Sequence, residues 1–185
     1  MNELAALGLG LALGIVTGMP LGVVNVAIVD AATQGRARFA VGIGIGGGIA
    51  DAVHSSIAFA GVGSLAASYS RPLAVGAGIV IIAYALIARR FTRHAHGKHG
   101  VVTGLLFTLP NPAALAAWVA IASATWPTIS ITDAIVVGVG VGIGSAAWFS
   151  TLAHFARRWR PTWLPTVAAV LLAGIAGYGI VRAFL

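Results

Sequence analysis

Gly14-Ile15-Val16-Thr17-Gly18-Met19-Pro20 and Gly104-Leu105-Leu106-Phe107-Thr108-Leu109-Pro110 share one Gly-to-Pro spacing, 90 residues apart. A second pair follows the first. Gly42, Gly44, Gly46 and Gly48 alternate along GIGIGGG, and Gly138, Gly140, Gly142 and Gly144 alternate along GVGVGIG, at an offset of 96. Recurrence in the same order at a nearly constant offset reads as an internal duplication. Repeat one covers about residues 4–90 and repeat two about residues 101–185 of a single domain, 1–185.

Working outward from these pairs, each copy contains three apolar stretches. Leu4 to Val29 carries no charge, and Phe39 to Ser70 carries only Asp51 and His54. Leu73 to Ala88 is shorter, and flanking side chains can snorkel from both of its ends. Val101 to Thr132 is uncharged, with Pro127 marking where its helix has ended. Ala134 to Ala156 holds only His154, and Pro161 to Val181 is the last stretch. A membrane span needs about 20 apolar residues. The expectation is therefore an all-α integral membrane protein of six spans. Three spans per copy is an odd number, so the copies sit upside down relative to each other. Inverted repeats of this kind are typical of secondary transporters.

Composition agrees. The 185 residues are 59% hydrophobic and 8% charged, with a mean hydropathy of +0.98. A soluble domain is about 25% charged, and a chain this short cannot hide so much apolar surface from water. Disordered chains are poor in apolar residues, so disorder is excluded too. With no cysteine, there is no disulfide framework, thiolate metal site or redox dithiol. The net charge of +7 reflects basic loops rather than nucleic-acid binding. Arg36 and Arg38, then Arg89, Arg90, Arg93 and Lys98, then Arg157, Arg158 and Arg160 follow spans one, three and five. The positive-inside rule places these loops in the cytoplasm and both termini outside, in a bacterial-type inner membrane. Met1-Asn2-Glu3 lacks the basic start of a signal peptide, so the first span is expected to be retained.

In folds built from inverted repeats, the substrate site lies near the midplane, between Pro- or Gly-interrupted helices at matching positions. Here those positions are Pro20-Leu21-Gly22 in the first span and Pro110-Asn111-Pro112 in the fourth. Proline removes a backbone donor and clashes with the preceding turn. The half-helix after each break then offers free N–H groups and a positive dipole end to an anion such as a carboxylate. A plain proline kink is the alternative reading of either break; two breaks at equivalent positions favour the site. Most glycines read as packing surfaces. Gly10, Gly14, Gly18 and Gly22 recur every four residues on one face of the first span, which lets a second helix approach closely. The G-x-G alternation lies outside any βαβ unit and is not a dinucleotide fingerprint.

Asp51 is the one acid inside a span, twelve residues after Phe39, or about 18 Å along a helix. A charge near the bilayer centre costs at least about 2.5–3.5 kcal/mol, and such residues are functional by default. Asp51 is therefore a candidate for binding an ammonium group or exchanging a proton. His54, at i+3, shares its face and is a candidate partner. Asn111, at the second break, is expected to line a cavity; Asn25 serves either the site or helix contacts. Trp126, Trp159 and Trp163 read as interfacial; Trp118 and Trp148 lie deeper and read as core packing, with the wall of a cavity as the alternative. Three histidines, His94, His96 and His99, lie in the basic loop before the fourth span. Such a tract can gather a metal, against the repulsion of Arg93 and Lys98.

Together these motifs resemble the LysE/RhtB-type amino-acid exporters of the lysine-exporter superfamily, over spans one to five. That family has a P-x-G-P or P-G-P turn followed by a basic glycine loop. Here the equivalents are Pro20-Leu21-Gly22-Val23 and Gln34-Gly35-Arg36-Ala37-Arg38. Glycines followed by an acid correspond to Gly46-Gly47-Gly48-Ile49-Ala50-Asp51, and the family's Asn-Pro stretch to Asn111-Pro112. Val23 stands in place of the second proline, and His54 is unusual.

The resemblance implies a secondary transporter, not an enzyme and without a cofactor, exporting an amino acid or similar small zwitterion by proton exchange. Its substrate-binding candidates are Pro20, Gly22, Asn25, Asp51, His54, Asn111 and Pro112, with Asp51 coupling to protons. The same superfamily includes divalent-metal exporters, for which Asp51 and His54 would be two ligands; this is the alternative. A homo-oligomer is compatible with the sequence.

Overall fold

The computed structural model describes residues 2–19, 22–61, 97–125 and 129–158, with scattered helical positions between 75 and 82 and between 166 and 181. Most of the expected third and sixth spans, the turn residues Pro20 and Leu21, Trp126, and the loop histidines His94 and His96 lie outside the described residues.

Six helices carry the described chain: α1 (Glu3–Gly18), α2 (Val23–Thr33), α3 (Ala37–Phe59), α4 (Gly97–Thr108), α5 (Pro112–Thr125) and α6 (Ile131–Ala156). Among them α6 is long and apolar enough by itself to cross a membrane. The pairs α1 with α2 and α4 with α5 also qualify if each counts as one span; they bend by 71° and 68° at their breaks. Among the described residues, candidate spans thus number one, or up to three.

Local chemistry sets the helix ends. Asn2 caps α1 by accepting from the Leu4 N–H at 2.9 Å. Ser130 accepts from the Asp133 N–H at 3.1 Å and donates to its carboxylate at 2.9 Å. That Ser-x-x-acid cap starts α6 at Ile131, three residues before the expected Ala134. Likewise α2 runs on to Thr33, past the expected Val29. It closes with the Gly35 N–H donating to Ala32 and the Arg36 N–H to Ala31. Gly35 has φ +80°, the left-handed turn that this closure requires.

The turn also contains a feature that charge counting missed. Asp30 and Arg36 are both buried and pair at 3.2 Å. Gln34 donates to the other carboxylate oxygen at 2.6 Å, and the Arg36 guanidinium lies 5.3 Å from the Phe39 ring centroid. Asp30 and Arg36 read in the sequence as an ordinary helix end and a loop charge. Folding instead encloses them as a buried ion pair.

Close helix packing follows the glycines. A Cβ on Gly10 would strike the Val137 carbonyl oxygen, and one on Gly14 the Val141 carbonyl oxygen, both on α6. A Cβ on Gly100 would strike the Phe39 oxygen, and one on Gly104 the Ile43 oxygen, both on α3. Gly100 and Gly104 follow Gly10 and Gly14 by 90 residues; Val137 and Val141 follow Phe39 and Ile43 by 98. The reverse contacts match as well. Gly46 abuts Val101 and Leu105, and Gly144 abuts Leu11 and Ile15, at the same two offsets. The register between α3 and α6 is thus 98 rather than 96. An alternating glycine pattern overlays itself after a slip of two, so the sequence does not distinguish the two registers.

Two apolar clusters lie on either side of the breaks. One gathers α2, the start of α3, Phe107 of α4 and the end of α6 around Phe149. The other gathers the start of α1, Ala58 and Phe59 of α3, Trp118 and Ala122 of α5 and the start of α6. Each short helix after a break is therefore anchored in a different cluster.

Candidate functional site at the two helix breaks

At the first break, the carbonyls of the last turn of α1 lose their helical partners. Asn25, in the first turn of α2, folds back and its Nδ2 donates to the Gly18 oxygen at 2.9 Å. Gly18 itself packs against the Trp148 ring, where a Cβ would come within 3.0 Å. Gly22 is the N-cap of α2 in extended conformation (φ −126°, ψ 179°) and supplies no side-chain acceptor. The first N–H groups of α2 thus meet no side-chain cap, and Val23 and Val24 around them are buried.

The second break is arranged differently. Asn111 caps its own helix, its Oδ1 accepting from the Ala113 N–H at 3.1 Å. Pro112 takes the first helical position, where its missing N–H costs nothing. The side chain that reaches this break from outside is His54, whose Nε2 lies 3.1 Å from the Leu109 carbonyl oxygen. A carbonyl only accepts, so Nε2 carries a proton, and in the neutral imidazole Nδ1 then keeps its lone pair. Nδ1 is buried and has no hydrogen-bond partner. The expected pairing of His54 with Asp51 is therefore not what the ring does. Both residues face the same side of α3, but the end of α4 packs against that helix and its unpaired carbonyl takes the imidazole.

Asp51 turns to α5 and α6. Two donors face its carboxylate, the Ser145 hydroxyl and the Trp118 indole N–H. Both of these residues are buried. Ser145 Oγ also lies 3.2 Å from the Gly14 oxygen of α1. Asp51 is thus linked through Ser145 to the helix that precedes the first break, and His54 is bonded directly to the helix that precedes the second. These two residues, one turn apart on α3, connect the two broken pairs.

Neither Ser145 nor Trp118 figured among the site candidates. Ser145 had a signal: it is the one hydroxyl side chain between Ile135 and Phe149. Trp118 reads in the sequence as core packing or as the wall of a cavity, with nothing local to aim its indole N–H at Asp51.

Three buried polar atoms at this level lack hydrogen-bond partners: His54 Nδ1, Thr108 Oγ1 and Trp148 Nε1. Thr108 ends α4 just before the second break, and Trp148 lies against Gly18 at the first. Buried polar groups are nearly always satisfied, so unpaired ones call for an explanation. Together they offer one acceptor, one indole donor and one hydroxyl that can do either. Among the described residues no group of three His, Cys, Asp or Glu side chains could hold a metal ion. Comparison with protein families, curated proteins and solved structures finds no match to this chain.

Proposed function

We propose that the chain is a secondary transporter of six spans in two inverted halves, exporting an amino acid or similar small zwitterion in exchange for protons. The observation that carries this reading is the set of buried, unpaired polar atoms at the two helix breaks, one of them on His54, one turn from Asp51. The paired glycine contacts at constant offsets support the inverted halves. Both termini then lie outside and the basic loops in the cytoplasm of a bacterial-type inner membrane.

A zwitterion suits these groups. Its carboxylate meets the N-terminus of α2, where the Val23 and Val24 N–H groups have no side-chain cap and the dipole is positive. Its ammonium meets Asp51 and the His54 Nδ1 lone pair. One carboxylate cannot hold a proton and an ammonium at once. Substrate leaves as a proton arrives, and the alternation is antiport.

The test is Asp51→Asn in proteoliposomes loaded with amino acids. The variant keeps its fold and loses export, and unchanged flux would sink the mechanism. A divalent cation is the second reading, favoured by the open Nδ1 of His54 one turn from Asp51. Thermal stabilisation by a metal, lost in His54→Ala, would select it. Stabilisation by an amino acid and by no metal selects the zwitterion.

A further inference from the structure

The outward face of α3 and α6 contains a groove that the transport reading does not use. At its basic end, about 460 Å³ of space is lined by Ala37, Arg38, Val41, Ile45, Val101 and Arg157, with Gly42 as its floor. It continues past Ile45 into a second, wholly non-charged stretch along Ile49 and Ile143. Arg38 and Arg157 are exposed, one in the first turn of α3 and the other at the C-terminal end of α6. Two cations thus sit at one mouth of an apolar channel, and among the described residues no acid lines it. The uncapped N-terminus of α3 and the C-terminus of α6 meet there, so their dipoles offset each other and the two arginines supply the charge.

The geometry points to a site for one anionic phospholipid, its phosphate between Arg38 and Arg157 and one acyl chain along Val41, Ile45 and Ile49. This rests on the reading that the chain spans a membrane with its arginine loops on the cytoplasmic side. Length supports it. From Arg38 to Ile49 is eleven residues of α3, about 16 Å of helix, close to the depth of one leaflet in a core of about 30 Å. The half-exposed Ile45 and Ile49 leave the channel open toward lipid. A soluble phosphate would leave this apolar floor uncovered. A second copy packed on the same face in parallel would bring four arginines together with no acid among the described lining residues, which opposes association. Basic pockets between helices on the cytoplasmic side are suited to anionic headgroups, each cation contributing near the surface.

The experiment is native mass spectrometry of the purified full chain with equal phosphatidylglycerol and phosphatidylcholine. Wild type is expected to retain phosphatidylglycerol about thirtyfold better, from two surface cations. Arg38→Gln with Arg157→Gln brings the ratio near one. Ile45→Trp fills the channel and loses both lipids, and excess inorganic phosphate displaces neither. Equal retention by wild type, an unchanged ratio in the double variant, displacement by phosphate, or a lipid-free dimer would each overturn the site. Carbonate washing of membranes separates the underlying reading. Release of the chain overturns both readings, whereas retention in the pellet with equal lipid binding overturns the lipid site alone.

Discussion

Ser145 Oγ lies 3.2 Å from the carbonyl oxygen of Gly14, tying α6 to α1 one turn before the first break, and the same hydroxyl faces Asp51. A hydroxyl has one proton and cannot donate to both acceptors. The Ser145 hydroxyl is therefore shared between Asp51 on α3 and Gly14 on α1. Ser145→Ala is expected to remain folded, to lose about 1 kcal/mol of stability and to slow exchange in proteoliposomes. Wild-type exchange in that variant would remove Ser145 from the site.

Asn25 replaces the backbone donor that the first break takes from Gly18. Asn25→Leu leaves that carbonyl buried and unpaired, at about 1–3 kcal/mol. Asn25→Asp, when ionised, sets a buried carboxylate against that carbonyl and is expected to cost more than Asn25→Leu. Unfolding in detergent reads both. A neutral Asn25→Leu would mean that the Gly18 oxygen finds another donor.

Gly14 and Gly8 make a matched pair of probes on one helix. A Cβ on Gly14 meets the backbone of Val141 and Ser145, whereas one on Gly8 meets nothing within 4 Å. Gly14→Ala is expected to cost about 1–3 kcal/mol from overpacking. Gly8→Ala should be neutral or slightly stabilising, because alanine favours helix. Gly104→Ala should track Gly14→Ala, since its Cβ meets Ile43 and Gly47 in the corresponding way. Thermal unfolding of the three variants ranks them, and equal midpoints would refute the packing register.

The Asp30–Arg36 pair is buried on both sides. Asp30→Asn leaves the guanidinium buried without its counter-ion and should cost about 3–5 kcal/mol. Replacing both residues with apolar ones of similar size should cost less than either single change, because no charge then remains to be compensated. A double-mutant cycle by chemical unfolding checks this, and additive costs would contradict it.

Asn111 closes the N-terminus of α5 with its own side chain. Asn111→Ala is expected to lose about 1 kcal/mol. Asn111→Asp should keep both the cap and the stability, since a carboxylate accepts equally well at a positive helix end. If Asn111→Asp keeps its stability yet abolishes transport, Asn111 contacts substrate besides capping its helix.

The amino-acid sequence by itself determined the solvent-like demands of this chain. Its apolar stretches, sparse charges and glycine spacing call for closely packed, lipid-compatible helices, and Pro20, Pro110 and Pro112 mark where two of them break. Those are local properties: hydropathy sums over a window, and proline acts on its own turn. Asp51 was legible for the same reason, as one acid in an apolar run. The tertiary structure alone decided which atoms meet. Hydrogen-bond partners depend on distances between helices, and no local pattern encodes them. So His54 reaches Leu109 rather than Asp51, Ser145 and Trp118 turn to Asp51, and Asp30 and Arg36 close into a buried pair. The register of 98 between α3 and α6 belongs there too, because an alternating glycine run matches itself at a slip of two and only backbone contact breaks the tie.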